Sequence, residues 1–377
     1  MARAIDQRET EGKGSLYRML WRWHFYAGLI CIPFVIWLAV TGSIYLFRPQ
    51  IDAWVDRDVA VLRRTGEAAT QQELVTAATA AVPGSTFAGI MLPEQADQAA
   101  RVLVSDKGVR TRVYLHPDTM AVLKTQDEGG TWDRWIFKLH GELMLGTPGS
   151  IMVELAASWA IVMILTGLYL WWPRRAKGLG GVLYPRIGQG AKRFWRDLHA
   201  VVGIYVSAFA LFLLASGMPW ATVWGNGFKM VREATGSAAV TQDWTIGPVD
   251  EHAQHQAHAA EMLDHSAHGG VTLDQVYATA LAQKLAAPVI LTPPSKSSNY
   301  WRAKSNAQNR PLQQEVIFDP MTGAEVSREV FGKKHIIDQI VGVAIAAHEG
   351  QLFGPLNQVL GVLTALGLIT LCVSAFI

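Results

Sequence analysis

The chain has 377 residues, of which 50% are hydrophobic and 17% are charged, fewer than the roughly 25% charged residues of an ordinary soluble domain. This composition excludes a disordered chain, and a formal net charge of +2 excludes a nucleic-acid-binding protein that relies on basic excess, so no nucleic-acid partner is expected. Two cysteines are too few for a disulfide scaffold, a four-cysteine zinc site or a cysteine-ligated iron–sulfur cluster. The sequence contains neither a C-x-x-C-H haem attachment motif nor a glycine-rich nucleotide motif.

Charged residues are absent from three long stretches and nearly absent from a fourth. Residues 23–47, 198–228 and 350–377 contain no Asp, Glu, Lys or Arg, and residues 143–173 contain only Glu154. A helix of about 20 apolar residues crosses a bilayer. The sequence therefore predicts four transmembrane helices surrounded by membrane lipid.

The segments between these stretches differ in charge. Residues 173–196 hold seven Lys or Arg and no acid, whereas residues 48–134 and 229–338 each hold ten basic and twelve acidic residues. Short basic loops stay in the cytoplasm. The N-terminus is therefore expected in the cytoplasm, and both long segments are expected outside.

Each long segment has the pattern of a small α+β domain. Helical periodicity at Gln71–Ala81 and at Leu273–Ala286 is followed by β-rich runs and turn residues. The predicted fold is an α+β membrane protein with four transmembrane helices and two outer domains. The predicted segments are a cytoplasmic N-terminus (1–22), span 1 (23–47), outer domain 1 (48–134), an interfacial helix with span 2 (135–173), a basic cytoplasmic loop (174–193), span 3 (194–224), outer domain 2 (225–334), and an interfacial helix with span 4 (335–377).

The two halves of the chain repeat the same features, which indicates an internal two-fold repeat. His24 near the start of span 1 and His199 near the start of span 3 are each followed by glycine after four and after eighteen residues. These glycines are Gly28 and Gly42 in the first half and Gly203 and Gly217 in the second. His140 and His348, which precede spans 2 and 4, are each followed by glycine after six residues.

The four histidines are candidate metal ligands. An ionisable side chain in a membrane span is rare and is a functional hypothesis by default, and neutral imidazole is the commonest metal ligand. The topology pairs His24 with His199 near the cytoplasmic face and His140 with His348 near the outer face. The alternative is that each histidine is only a hydrogen-bond partner between helices.

Each pair of histidines fits a haem better than a zinc ion. Zinc needs three or four protein ligands, whereas haem needs only axial ligands because the porphyrin supplies four nitrogens. We therefore expect two haems, each with two axial histidines. Gly28, Gly42, Gly203 and Gly217 are expected to let the flat macrocycle approach the helices, although close helix packing would also explain them. Two axial histidines leave no open iron position, so electron transfer is expected and no catalytic residue is assigned.

A histidine-rich stretch lies at residues 250–268. This stretch is predicted to be a flexible polar insert before the helix that begins at Leu273. The alternative is a weak, exchangeable iron, copper or zinc site, because such tracts can bind metals. The candidate ligands are His252, His255, His258, His265 and His268.

Several motifs resemble those of the PepSY-associated transmembrane proteins, often called iron-regulated membrane proteins. They are Trp21-Arg22-Trp23-His24-x-x-x-Gly28, Leu139-His140-Gly141-Glu142, Thr166-Gly167-x-Tyr169-Leu170-Trp171-Trp172-Pro173-Arg174 and Phe318-Asp319-Pro320-x-Thr322-Gly323. Within this family the chain is similar, over nearly its whole length, to dihaem reductases of the bacterial inner membrane that act on ferric siderophores of the ferrioxamine type.

The resemblance implies that the outer domains are periplasmic PepSY-like domains, that the cofactors are two non-covalent haem b groups, and that the partner is a ferric siderophore. Reduction to Fe(II) weakens binding by hard oxygen donors and would release the iron. The electron donor at the cytoplasmic side is expected to be a separate reductase or a quinol, since no flavin or nicotinamide motif is present. Two alternatives stay open: a transmembrane cytochrome for another periplasmic acceptor, and a non-catalytic membrane protein whose PepSY domains bind or inhibit a partner.

Overall fold

The computed structural model describes residues 2–173, 178–237, 270–295 and 298–377, with side chains from Ser15 onward. They form a helical unit (residues up to Leu46, Ile136–Val231 and His348–Ile377) and a sheet unit (Phe47–Trp135 and Arg232–Ala347). The helices are α1 (Ala2–Leu46), α2 (Arg48–Val55), α3 (Arg57–Ala60), α4 (Gln71–Ala81), α5 (Trp132–Glu142), α6 (Thr147–Trp171), α7 (Ala191–Gly217), α8 (Thr222–Ala234), α9 (Leu273–Ala282), α10 (Ile336–His348) and α11 (Pro355–Phe376). The strands are β1 (Thr86–Leu92), β2 (Ala100–Asp106), β3 (Val109–Leu115), β4 (Val122–Asp127), β5 (Val289–Thr292), β6 (Trp301–Ser305), β7 (Gln314–Phe318) and β8 (Glu325–Val330).

Four helices of the helical unit, α1, α6, α7 and α11, are long and apolar enough to cross a membrane, which confirms the four predicted spans. Only 17 to 22% of the residues in the most apolar stretch of each helix are buried by the rest of the protein. The exposed apolar side chains therefore require lipid around them. The third candidate span runs from Ala191 to Trp220. α7 ends at Gly217, a 3-10 turn follows at Met218–Trp220, and α8 then begins as a separate helix.

The four spans form a bundle. α1 packs against α6 and α11, and α7 packs against the same two helices, so α1 and α7 are diagonal to each other. Glu154, the single acid of the second span, accepts hydrogen bonds from the main-chain N–H groups of Val223 (2.9 Å) and Trp224 (2.5 Å). These donors belong to the first turn of α8 and have no partner within that helix, so the buried carboxylate stabilises its start.

The sheet unit contains one eight-stranded antiparallel sheet in the order β4-β3-β2-β1-β5-β6-β7-β8. Strands β1–β4 come from the first long segment and β5–β8 from the second. β1 pairs with β5, with Ile90 opposite Leu291 and Leu92 opposite Val289. The two segments, expected as two separate domains, therefore share a single sheet.

Helices α4 and α9 pack on one face of this sheet. Each begins with a capping box, formed by Thr70 with Glu73 in α4 and by Thr272 with Gln275 in α9. The apolar side chains beneath them form one core with members from both helices and from strands of both segments. Its fully buried members include Val75, Val102, Val276, Leu291 and Val316. Burial of apolar surface is the main stabilising contribution to folding, so this core holds the two segments together.

One turn occurs in both segments but is closed by different side chains. After β7, the carboxylate of Asp319 accepts the main-chain N–H groups of Thr322 and Met321, both at 2.9 Å, and these hydrogen bonds hold the pKa of Asp319 below its usual range. After β3, Nδ1 of His116 accepts the N–H groups of Asp118 (3.2 Å) and Thr119 (3.4 Å). An imidazole thus replaces the carboxylate as the acceptor.

Two arginine–aspartate pairs, all four residues of which belong to the sheet unit, join pairs of helices. Nη2 of Arg48 in α2 lies 2.8 Å from Asp133 in α5. Arg232 in α8 donates to both carboxylate oxygens of Asp338 in α10, at 2.7 and 3.1 Å. Arg232 is 1% exposed and Asp338 is 8% exposed, so water solvates neither charge well and each depends on the other. The pairs fix the first turns of α5 and α10, the helices whose last turns carry the second predicted histidine pair.

Candidate functional site

His24 and His199 come together inside the bundle. They lie on the diagonal helices α1 and α7, the centroids of their rings are 6.3 Å apart, and the ring planes cross at 87°. Corresponding positions of the two halves therefore meet, in the pairing that the sequence predicts.

His140 and His348 form a second pair of the same kind. They lie in the last turns of α5 and α10, with ring centroids 6.4 Å apart and planes at 82°. Trp220, in the turn after α7, lies beside His348 with 6.1 Å between ring centroids. The structure thus brings together the two members of each predicted pair.

In the first pair, Nδ1 of each ring faces a carbonyl and a hydroxyl of the neighbouring span. Nδ1 of the α1 histidine lies 3.1 Å from Met163 O and 3.2 Å from Thr166 Oγ1, both on α6. Nδ1 of the α7 histidine lies 3.1 Å from Leu371 O and 3.0 Å from Ser374 Oγ, both on α11. Because a carbonyl oxygen only accepts hydrogen bonds, Nδ1 carries the proton in both rings.

In the second pair, hydroxyl groups of the spans occupy the same place. Nδ1 of His140 lies 3.0 Å from Thr41 Oγ1 on α1, and Nδ1 of His348 lies 2.8 Å from Ser216 Oγ on α7. Each hydroxyl donates its own proton to the carbonyl four residues earlier in its helix, at 2.8 Å for Thr41 and 2.7 Å for Ser216. The hydroxyl oxygens therefore accept the hydrogen bond, and Nδ1 carries the proton here as well.

A proton on Nδ1 of a neutral imidazole leaves the lone pair on Nε2. Burial disfavours the charged imidazolium form, so the neutral form is expected for all four rings. The hydrogen bonds that the structure gives these rings all use Nδ1, and among the described residues none uses Nε2. Nε2 is therefore available to a metal, while the bond at Nδ1 orients the ring from behind, as is usual for metal-bound histidine.

The spacing of the rings fits one metal ion per pair. A metal–imidazole bond is about 2.0 Å and the ring nitrogen lies about 1.1 Å from the ring centre, so two rings on opposite sides of one ion have centroids about 6.2 Å apart. The observed values are 6.3 and 6.4 Å. In the part of the chain that the structure describes, no cluster of three or more His, Cys, Asp or Glu could hold a metal ion. The donor set therefore fits haem, which brings its own four nitrogens, and does not fit zinc.

Two of the predicted glycines lie against the imidazoles. A Cβ atom on Gly42 would lie 3.1 Å from Cε1 of His140, and a Cβ atom on Gly217 would lie 3.6 Å from Cε1 of His348. These glycines make room for the imidazole rings, whereas the sequence predicted that they make room for the macrocycle.

The other two predicted glycines face neighbouring helices. A Cβ atom on Gly28 would lie 3.5 Å from Cε of Met163, and one on Gly203 would lie 3.8 Å from Cδ2 of Leu371. These are ordinary packing distances, in agreement with the alternative of close helix packing. Gly167, which is not among the predicted glycines, is closer to an imidazole, since its Cβ position lies 3.0 Å from Cε1 of the α1 histidine.

The hydroxyl partners of Nδ1 are site residues that sequence reasoning missed. Their signal is a Ser or Thr followed by Gly or Ala, and one such dipeptide in each span supplies a partner for a ring nitrogen. The four dipeptides are Thr41-Gly42, Thr166-Gly167, Ser216-Gly217 and Ser374-Ala375. Sequence reasoning interpreted the small residue and passed over the hydroxyl, because Ser and Thr in helices commonly bond only to their own backbone.

One buried carboxylate binds two arginine side chains near the first histidine pair in the sequence. Asp197 is 1% exposed and accepts hydrogen bonds from Nε and Nη2 of Arg186 (2.7 and 2.9 Å) and from Nη2 of Arg196 (2.9 Å). These bonds tie the loop before α7 to the turn that carries His199. The histidines of the predicted weak metal site, His252, His255, His258, His265 and His268, lie outside the described residues.

Comparison with known families finds one that is described as the PepSY-associated TM region, and its model matches residues 21–377. No curated protein matches the chain. The match covers nearly the whole chain and, together with the four apolar helices, indicates a multi-pass membrane protein.

Proposed function

We propose that this chain, which belongs to the PepSY-associated TM region family, is an oxidoreductase of the bacterial inner membrane that binds two haem b groups. It takes electrons at the cytoplasmic side from a separate reductase or a quinol. It delivers them to a ferric siderophore in the periplasm, where reduction releases Fe(II) for uptake.

One observation carries this proposal. Two pairs of imidazoles stand with ring centroids 6.3 and 6.4 Å apart, and every Nδ1 is engaged in a hydrogen bond. A histidine that only links two helices has no need of a second imidazole beside it. Two such pairs in one bundle support a role in moving electrons across a membrane.

The chain's own residues hold and orient the cofactors. His24 and His199 would hold one haem, and His140 and His348 the other, each through Nε2. Carbonyl and hydroxyl groups of the spans keep the protons on Nδ1. When bound, haem supplies one-electron exchange between Fe(III) and Fe(II). Two axial histidines leave no open iron position, which favours electron transfer over binding of a substrate at the iron.

The substrate assignment rests on the resemblance to ferrisiderophore reductases. Siderophores hold Fe(III) with hard oxygen donors, and these donors hold Fe(II) less well. One electron per iron is therefore sufficient to release it. The protein does not need to cleave a covalent bond of the siderophore.

The first test is a reduced minus oxidised absorption spectrum of the detergent-purified protein, with haem measured per chain. We expect two low-spin haems, and oxidation of the reduced protein by ferric siderophores. A protein without haem would contradict the proposal and favour a PepSY-domain binding protein. Haem that is not oxidised by ferric siderophores would favour a cytochrome for another periplasmic acceptor.

Variants of the second pair test the assignment of the ligands. We expect His140→Ala to remove one haem and to abolish siderophore reduction, while the spectrum of the haem at His24 and His199 stays. His116→Ala is the control, because His116 belongs to the sheet unit and uses both ring nitrogens in hydrogen bonds. Loss of both haems from a folded His140→Ala protein would show that the pairing is wrong.

A further inference from the structure

We propose that Thr41 is a positioning residue for His140 and that it makes the two histidine pairs unequal. The hydroxyl of Thr41 sets the tautomer and the orientation of His140, and His140 has less support at Nδ1 than His24 and His199. This inference rests on the haem binding proposed above.

The ligands differ in the number of acceptors at Nδ1. Each ring of the first pair has a carbonyl and a hydroxyl within 3.2 Å. His348 has the hydroxyl of Ser216 at 2.8 Å. For His140, the described residues supply one acceptor, Oγ1 of Thr41 at 3.0 Å.

A single turn of α1 holds His140. Nε1 of Trp37 donates to the carbonyl oxygen of Leu139 at 2.8 Å and so fixes the main chain next to His140. The hydroxyl proton of Thr41 goes to the carbonyl of Trp37 at 2.8 Å, which leaves the oxygen lone pairs for Nδ1–H. Thr41 is 5% exposed, so water does not readily take the place of this hydroxyl.

Removal of the hydroxyl therefore has different consequences at the two pairs. In Thr41→Val, Nδ1–H of His140 loses the one acceptor that the described residues supply, so the ring is freer to rotate and its proton can move to Nε2. In Thr166→Val, His24 keeps the carbonyl of Met163 at 3.1 Å. Loss of a partner behind a metal ligand typically weakens metal binding by about 10–100-fold, and we expect this effect for Thr41→Val only.

The number of hydrogen-bond acceptors at Nδ1 also predicts which histidine pair gives its haem the higher reduction potential. Acceptors at Nδ1–H raise the basicity of Nε2, and a more basic ligand favours Fe(III). His24 and His199 together have more acceptors than His140 and His348, so we expect the second pair to have the higher midpoint potential. Electron transfer from the first pair to the second is then downhill.

The experiment compares Thr41→Val with its matched control Thr166→Val in the purified full-length chain. Haem per chain and a spectroelectrochemical titration are the readouts, and neither depends on siderophore reduction. Thr41→Val is expected to lose the haem of higher potential or to shift it to a still higher potential. Thr166→Val is expected to retain both haems with little change, and Thr41→Ser is expected to restore the wild-type titration.

Equal effects of Thr41→Val and Thr166→Val would overturn the inference, as would a change confined to the haem of lower potential. If Thr41→Val does not fold, Thr41→Ala removes the same hydroxyl and is judged by the same outcomes. A wild-type protein without haem would instead contradict the proposed function, so the two failures are distinguishable.

Discussion

His116 shows how a purely structural histidine differs from the four paired ones. Its Nδ1 accepts N–H groups of the turn after β3, and its Nε2 donates to the carbonyl of Arg63 at 3.2 Å. Both nitrogens are therefore used, and the proton lies on Nε2. The paired histidines have the opposite tautomer, and among the described residues their Nε2 atoms make no hydrogen bond. At the scale of a residue, tautomer and partner count separate a ligand from a structural side chain.

The two glycines beside the second pair allow a direct test of this geometry. In Gly42→Ala the new Cβ would lie 3.1 Å from Cε1 of His140, closer than normal carbon–carbon contact. His140 cannot move away without loosening its bond to Thr41. We therefore expect Gly42→Ala to lower the haem content per chain and the low-spin fraction in the absorption spectrum.

Gly217→Ala is the matched control for that substitution. Its Cβ would lie 3.6 Å from Cε1 of His348, which is an ordinary van der Waals distance. We expect this variant to retain the wild-type haem content. If Gly42→Ala also retains it, the ring of His140 is not held where the structure places it.

At the scale of elements, the Arg232–Asp338 pair is a buried ion pair between α8 and α10, and both residues belong to the sheet unit. Asp338→Asn leaves the 1%-exposed guanidinium of Arg232 without its opposite charge. Breaking one partner of a buried ion pair costs about 3–5 kcal/mol, and we expect a decrease of that size in the free energy of unfolding. Chemical denaturation followed by far-UV circular dichroism is the measurement.

A surface ion pair supplies the control. Glu325 and Arg328 on β8 lie 2.7 Å apart with side chains 37% and 31% exposed. Water screens such a pair, so Glu325→Gln is expected to change the free energy of unfolding by less than about 1 kcal/mol. Similar losses in both variants would mean that Asp338 does not compensate a buried charge.

Some of these elements follow from local sequence and others do not. The helix over 71–81 is predictable because Thr70 and Glu73 form a capping box at its start. The histidine pairs follow from the equal offsets in the two halves. The turn after α7 does not follow from hydropathy, because residues 218–228 are as free of charge as the span itself and no charged residue marks the turn at Met218–Trp220.

The joining of the two long segments could not be predicted from pattern. About half of the chain separates β1 from β5. An alternation of apolar residues indicates which face of a strand is buried, but not which strand lies beside it. The hydroxyls at Thr41 and Ser216 were missed for a related reason, since their partners come from other helices. Contacts between distant segments are what the sequence leaves open in both cases.

At the scale of the whole molecule, each half of the chain is incomplete without the other. The bundle takes two spans from each half, and each histidine pair takes one ligand from each half. The sheet takes four strands from each half, with β1 and β5 adjacent at its centre. A sheet and a core shared in this way predict that the sheet unit unfolds in a single cooperative step.

Leu291 on β5 tests that prediction, because it is fully buried and pairs with Ile90 across the junction. Leu291→Ala removes core volume and is expected to cost about 2–5 kcal/mol. If the sheet is one cooperative unit, amide hydrogen exchange should show this loss equally in β2–β3 and in β6–β7. Val326→Ala, at a 52%-exposed position on β8, is expected to change neither. Loss of protection in β6–β7 alone would mean that the two halves of the sheet unfold independently, and that the shared core does not couple them.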